Sequence, residues 1–334
     1  MRPISISKIV ISIHAFMNHD FFQYINLYPE AQHVLNAGLP AHVNHIIVNR
    51  DETVEQQFEQ FKGCEIAFGN VPAVWVANAS GLKWLQLESV GYEHYMEILP
   101  DFQKRGVITN LQGFFGQPVA ESALAGILSL KRGINKLTLL KVQKKWEGSA
   151  LRPDLTLLSG AKTLIAGGGN IGQSIKKMLS SFDAKTVVYD KLPEVGDIHF
   201  PEDFDLELPD ADVVISCLPE TDATKCFFNE QRFMLMHPSA IFVNVGRGGV
   251  VDETILIRWL NEKRIAGAVL DVTLDEPLPQ GHPLWDCPNT IITQHTGGGT
   301  TGELTGKVEL FLENLARYIN GKPLLRTIQL INHN

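Results

Sequence analysis

The chain has 334 residues, a formal net charge of −8, 44% hydrophobic residues and 20% charged residues. That length supports two domains with substantial cores, and the balance is ordinary for a soluble globular protein. An acidic chain without a long basic run is not expected to bind nucleic acid, and no apolar run is long enough to predict a membrane span.

The pattern along the chain reads as follows. Residues 8–13 form a short apolar run, too short and interrupted for a signal peptide, and read as a first strand. The cytoplasm is therefore the default location. Residues 52–61 are a polar helix candidate, and residues 66–68 and 85–89 read as strands with helical material between them. A glycine-containing turn, Ser-Val-Gly-Tyr-Glu-His at 89–94, follows the second of these, and 106–110 reads as another strand. The helix predicted over 118–130 is almost wholly apolar, with Pro118 near its start, and should be buried. A second helix is predicted over 134–146.

The segment around which the second half is organised is Thr-Leu-Ile-Ala-Gly-Gly-Gly-Asn-Ile-Gly-Gln-Ser at 163–174. An apolar strand runs into glycines at 167, 169 and 172, spaced G-x-G-x-x-G, and then into a helix start. In a dinucleotide-binding unit Gly167 would allow the sharp turn, Gly169 the approach of a pyrophosphate, and Gly172 close helix–strand packing. The phosphates would rest on the helix N-terminus. Glycine-rich turns are common, so the bare spacing fits a structural loop equally well. The strand at 186–190 ends in Asp190, roughly 20 residues on, as the ribose-binding acid should. A carboxylate there accepts from ribose hydroxyls and repels a 2′-phosphate, which points to NAD rather than NADP; the competing reading is an exposed turn acid beside Lys191.

From residue 163 onward short apolar strands alternate with helical segments, at 163–166, 186–190, 213–217, 240–245, 266–271 and 289–293. That rhythm predicts a parallel sheet with helices on both faces. A long helix over about 303–320 stops at Gly321-Lys-Pro323. Ligands of such sheets bind beyond the carboxyl ends of the strands. Those ends carry Cys217-Leu-Pro219, Asn-Val-Gly-Arg-Gly-Gly at 244–249, Asp271 with Glu276-Pro277 beyond it, and His295. Arg247 offers a planar fork of donors for a keto acid. His295 can exchange a proton near neutral pH. Glu276 beside it would favour the protonated imidazole and hold its tautomer. Each residue alone has a plain alternative: a capping arginine, an exposed turn glutamate, a hydrogen-bonded core histidine. Their joint placement after three successive strands favours hydride transfer to a carbonyl with His295 protonating the oxygen. His282 is the nearest competing histidine, and His94 by the 89–91 turn could line a pocket. The cysteines at 64, 217, 226 and 287 include no C-x-x-C pair, so neither a metal site nor a redox motif is expected. Cys217 reads as a small core residue.

These stretches resemble the D-isomer-specific 2-hydroxyacid dehydrogenase family, from about Leu82 to Lys322, most specifically in 167–172, 217–224, 244–252, 270–277 and 295–298. The resemblance implies two Rossmann-like, doubly wound α/β domains. Residues 112–296 would be the NAD-binding domain with its parallel sheet. Residues 1–111 and 297–334 would form a flavodoxin-like substrate domain, with crossings near 112–116 and 294–299. It further implies Arg247 as the substrate-binding arginine, His295 as the acid/base and Glu276 as its partner. Gly167, Gly169, Asn170, Ile171, Gly172, Asp190, Cys217, Leu218, Pro219, Thr224, Val245, Gly246 and Asp271 would contact the cofactor. Ser89, Val90 and Gly91 would hold the substrate carboxylate. A homodimer is typical of the family. This chain departs from the usual pattern at Gln294, where a proline is common, and at Glu93, often an aspartate; the first 80 residues match poorly.

The leading expectation is a reductase of small 2-keto acids, glyoxylate or hydroxypyruvate favoured, preferring NADH over NADPH. A second is an NAD-sensing binding protein similar to the C-terminal-binding-protein corepressors, which share the three residues. Those carry a disordered carboxyl-terminal extension, so a chain ending soon after its last helix points to the enzyme. A third is a dehydrogenase of another small anion, such as phosphite or formate, on the same scaffold.

Overall fold

The computed structural model describes residues 18–329. They divide into two compact units: one runs up to Gln112 and resumes at Thr300, and the other is Gly113–Gly299.

In the first unit strands β1 (His19–Gln23) and β2 (Val43–Ile47) flank helix α1 (Pro29–Gly38). Helix α2 (Val54–Phe61), β3 (Ile66–Phe68), helix α3 (Ala73–Asn78), β4 (Trp84–Gln86), a short helix α4 (Leu99–Phe102) and β5 (Val107–Thr109) follow. These five strands pair in parallel, in the order β2-β1-β3-β4-β5. The sequence predicts no strand over 19–23 or 43–47, and the strand expected over 8–13 lies outside the described residues. Helix α2 starts two residues later than expected because Thr53 and Gln56 form a reciprocal capping box there. The long helix Glu303–Ile319 returns to this unit. Its Phe311 ring stacks on Phe21 and Phe68 at 4.7 Å and on Trp84 at 5.2 Å, burying one apolar face.

The second unit opens with helix α5 (Gly116–Lys131), two residues ahead of the predicted start, and α6 (Ile134–Val142), which stops short of Trp146. Then come β6 (Lys162–Ala166), α7 (Asn170–Ser180), β7 (Lys185–Tyr189), α8 (Pro201–Glu207), β8 (Val213–Ser216), α9 (Glu230–Leu235), β9 (Ile241–Asn244), α10 (Glu253–Asn261), β10 (Gly267–Leu270) and β11 (Thr290–Ile292). The six-stranded sheet is parallel throughout, ordered β11-β10-β9-β8-β6-β7. Strands β8, β9 and β10 are buried at every position, as a sheet covered on both faces requires. The expected α/β class with two doubly wound, Rossmann-like parallel sheets is what the chain adopts. Several strands end one residue earlier than the apolar runs. Asp190, Cys217, Val245 and Asp271 therefore stand just past the ladder, where the backbone turns into the loops that carry polar groups.

Candidate active site

The glycine turn follows β6 directly. Gly167 has φ +100°, a left-handed conformation that side chains disfavour, and its N–H donates to the Tyr189 carbonyl at 2.8 Å. At Gly172 a Cβ would stand 2.0 Å from the Gly167 carbonyl oxygen, so helix α7 can approach the turn only with glycine here. Gly169 caps α7 and, like Asn170, is exposed; a Cβ there would meet nothing within 4 Å. Ile171 packs against the core cluster beneath the sheet. Asp190 turns back onto this loop. Its two carboxylate oxygens accept from the Gly168 N–H at 2.8 Å and the Leu192 N–H at 3.0 Å, which sets the charge beside the turn before any ligand arrives. A tight turn, a helix N-terminus with open backbone and a fixed acid at the second strand end fit a dinucleotide. Gly172→Ala should therefore weaken NADH binding, read by fluorescence titration, by roughly 10- to 100-fold, since overpacking costs of about 1–3 kcal/mol fall on the cradle itself.

Past β8, Leu218 is buried, and the Pro219 carbonyl accepts the Thr224 hydroxyl at 2.6 Å, closing the loop on itself. Cys217 is only partly buried and lies beyond the strand, not within it. Desolvation pushes its thiol up to about 12, so it is neither nucleophile nor proton carrier near neutral pH. Past β9, Val245 and Gly246 are buried, and Asn244 shapes the Arg247 turn: its Oδ1 accepts from the Gly246 N–H and its Nδ2 donates to the Arg247 carbonyl. The Arg247 guanidinium donates to the Gly246 carbonyl at 2.8 Å.

Glu276 and His295 meet. His295 Nδ1 stands 2.6 Å from Glu276 Oε2, while Glu276 Oε1 accepts the Thr273 N–H at 3.0 Å. A carboxylate only accepts, so Nδ1 carries the proton and Nε2 is left to face a ligand. Both side chains keep solvent access, at 52% and 36% exposure. The loop bearing the histidine is strained. Gln294 and His295 have φ of +54° and +56°, in the left-handed region, which costs of order 1–3 kcal/mol per residue. A proline, locked near −65°, could not take the Gln294 conformation. Buried Asp271 holds the loop in place: its carbonyl accepts the His295 N–H, and its Oδ1 accepts the Gly297 N–H at 3.0 Å and the Thr293 hydroxyl. The Ser122 hydroxyl adds a bond to the Gly297 carbonyl. Asp271 is thus tied to the histidine loop, a contact that sequence reading alone did not anticipate; Thr273, three residues before Glu276, carried the same kind of hidden role. His282 does not join this group. Its Nε2 pairs with Glu253 at 3.2 Å, and it caps a short turn through Leu284.

In the first unit, Ser89 donates to the Gly91 carbonyl, and Asn110 Nδ2 holds the Val90 carbonyl at 2.8 Å. Asn70, Ser89, Gly91, His94 and Tyr95 line a recess beside this turn. Among the described residues no cluster of three or more His, Cys, Asp or Glu side chains is arranged to hold a metal ion.

The parallel sheet, the glycine turn and the acid at the second strand end define a nicotinamide-nucleotide-binding α/β protein. Residues 124–297 match the family described as D-isomer specific 2-hydroxyacid dehydrogenase, NAD binding domain. A glyoxylate reductase of Thermofilum pendens is 33% identical over 253 residues, 73% of this chain and 74% of that one. A glyoxylate/hydroxypyruvate reductase A of Arabidopsis thaliana is 29% identical over 230 residues, 68% and 72% of the two chains. The crystal structure of a D-isomer specific 2-hydroxyacid dehydrogenase family protein from Aeromonas salmonicida is 27% identical with a TM-score of 0.79, covering 93% of this chain and 99% of that one. The chain belongs to the D-isomer specific 2-hydroxyacid dehydrogenase family. It is an NAD-dependent oxidoreductase acting on CH–OH donors.

Proposed function

We propose that this dehydrogenase reduces a small 2-keto acid, glyoxylate or hydroxypyruvate in first place, to the D-2-hydroxy acid with NADH. The observation that carries the reading is the 2.6 Å contact between His295 and Glu276 past the strand ends of the nucleotide-binding sheet. The names of its reductase relatives support the substrate class. In this reading a bound nicotinamide supplies the hydride. Arg247 presents its guanidinium to the substrate carboxylate or carbonyl oxygen. His295 delivers the proton from Nε2 to the carbonyl oxygen, and Glu276 stabilises the charged ring. Ser89, Val90 and Gly91 hold the substrate carboxylate; the Val90 and Gly91 amides have no partner among the described residues. The first unit is then the substrate domain. The NADH preference rests on Asp190. Asn170, Leu218, Pro219, Thr224, Val245, Gly246 and Asp271 complete the cofactor surface.

NADH oxidation over a panel of 2-keto acids tests the reading. Turnover with glyoxylate or hydroxypyruvate above that with pyruvate and larger acids is the expected result; activity confined to phosphite or formate oxidation would replace it, and no turnover at all would favour a sensing role.

Glu276→Gln gives a second check. The carboxylate holds His295 Nδ1 as a donor at 2.6 Å, and an amide in its place can accept through one oxygen only. The substitution should lower kcat for keto-acid reduction by about 10- to 100-fold, the scale of a misplaced reacting group, with NADH affinity unchanged. An unchanged kcat would leave Glu276 a turn residue.

A homodimer and a cytoplasmic location complete the proposal. Helix α6 buries none of its residues, with Leu139 64% and Val142 78% exposed, and Trp146 beyond it is 95% exposed. Such an apolar surface suits a second copy. All four cysteines are free thiols, as suits a reducing compartment. No helix among the described residues is long and apolar enough to cross a membrane.

A further inference from the structure

Between β10 and the short turn at Pro283–Asp286 runs the loop that carries Glu276, and one side chain outside it grips both of its ends. Glu253, the first residue of α10, is only 11% exposed. Its Oε2 accepts the Leu274 N–H at 3.1 Å, and its Oε1 stands 3.2 Å from His282 Nε2. The Leu284 N–H donates to His282 Nδ1, so Nδ1 bears no proton and Nε2 donates to Glu253. Leu274 adjoins Thr273, whose N–H binds Glu276 Oε1. Within the loop the Thr273 hydroxyl donates to the Asp275 carbonyl at 2.8 Å, and the His282 N–H and Trp285 Nε1 both donate to the Pro279 carbonyl. The loop is therefore internally braced and fixed to the domain at its two ends.

We propose that Glu253 and His282 are positioning residues for the reaction: their bridge closes the loop and sets Glu276 Oε2 against His295. They act through Glu276. The inference rests on the proposed roles of Glu276 and His295. The physical reason is the cost of leaving the loop open. Without the bridge the loop keeps its internal hydrogen bonds but loses its ties to Glu253 of α10, and holding Glu276 at 2.6 Å from His295 then costs loop entropy. The sharing of one carboxylate by two donors also explains why a glutamate serves here: an amide in its place has a single acceptor oxygen and must give up one contact.

The test compares Glu253→Gln, His282→Ala and His282→Gln with wild type and with Glu276→Gln, as full-length enzymes. The readouts are the NADH dissociation constant and the separate kcat and KM of keto-acid reduction. Glu253→Gln and His282→Ala should lower kcat by about 10- to 100-fold, the scale of a small misplacement at a reacting group. Both should leave NADH affinity and the KM of the keto acid nearly unchanged, as Glu276→Gln does. His282→Gln, which restores a donor, should recover most of the wild-type kcat. In the Glu276→Gln background, Glu253→Gln should lower kcat no further. A kcat lowered by Glu276→Gln but not by Glu253→Gln or His282→Ala overturns the positioning role alone. A kcat unchanged by Glu276→Gln itself overturns the His295–Glu276 pair, and the positioning role with it. If Glu253→Gln fails to fold, the His282 pair of variants decides between the same outcomes.

Discussion

His295→Ala should lower kcat for keto-acid reduction by roughly 10²–10⁴-fold, the usual scale of general acid–base catalysis. The loss should fall on turnover and leave NADH affinity nearly untouched. His295 lies past β11, whereas the glycine turn and Asp190 lie past β6 and β7 at the other side of the sheet. Its ring is half exposed, so truncation removes no core packing. The substitution leaves Glu276 with its Thr273 bond and keeps the left-handed backbone, which the Asp271 contacts maintain through main-chain groups. A variant that keeps near-normal turnover where chemistry limits the rate would remove His295 from the role of proton donor. Stopped-flow measurement of a single turnover separates that case from slow product release.

The second large effect concerns the cofactor. Asp190→Ala should reduce kcat/KM for NADH by about 10- to 100-fold, which corresponds to losing one hydrogen bond to a charged group, worth about 1.5–3 kcal/mol. It should raise kcat/KM for NADPH. Two causes act together on the second number. The repulsive charge disappears, and the Gly168 and Leu192 amides that Asp190 now occupies become donors for a 2′-phosphate. General damage to the turn would lower both values, so the opposite signs are diagnostic. Comparable kcat/KM values for NADH and NADPH in the wild type would count against Asp190 as the discriminating group.

Much of the nucleotide-binding unit was legible from residue order because its signals are short-range. Strand period, glycine spacing and an acid at the next strand end are each set within a few residues by backbone sterics and by the burial of an apolar run. The same logic located Arg247, Glu276 and His295, since polar residues directly after buried strands have only the sheet edge to occupy. Strands β1 and β2 escaped it. His19–Gln23 and Val43–Ile47 contain polar and histidine residues that break the apolar pattern, and β1 becomes a central strand only because β2 and β3 pair with it on either side.

What residue order by itself determined is therefore the class of fold, the glycine turn and the identity of the polar groups at the strand ends. Tertiary structure alone decided how those groups are held. The Glu276–His295 contact joins loops from two strands. Asp271 grips a backbone 24 residues later, at His295, through its own carbonyl, and Glu253 reaches across to Leu274 and His282. The return of the last helix depends on Phe311 finding Phe21, Phe68 and Trp84. Local preferences act over one turn or one strand. Which distant side chains meet is settled when the apolar faces are buried and every buried donor must find its acceptor.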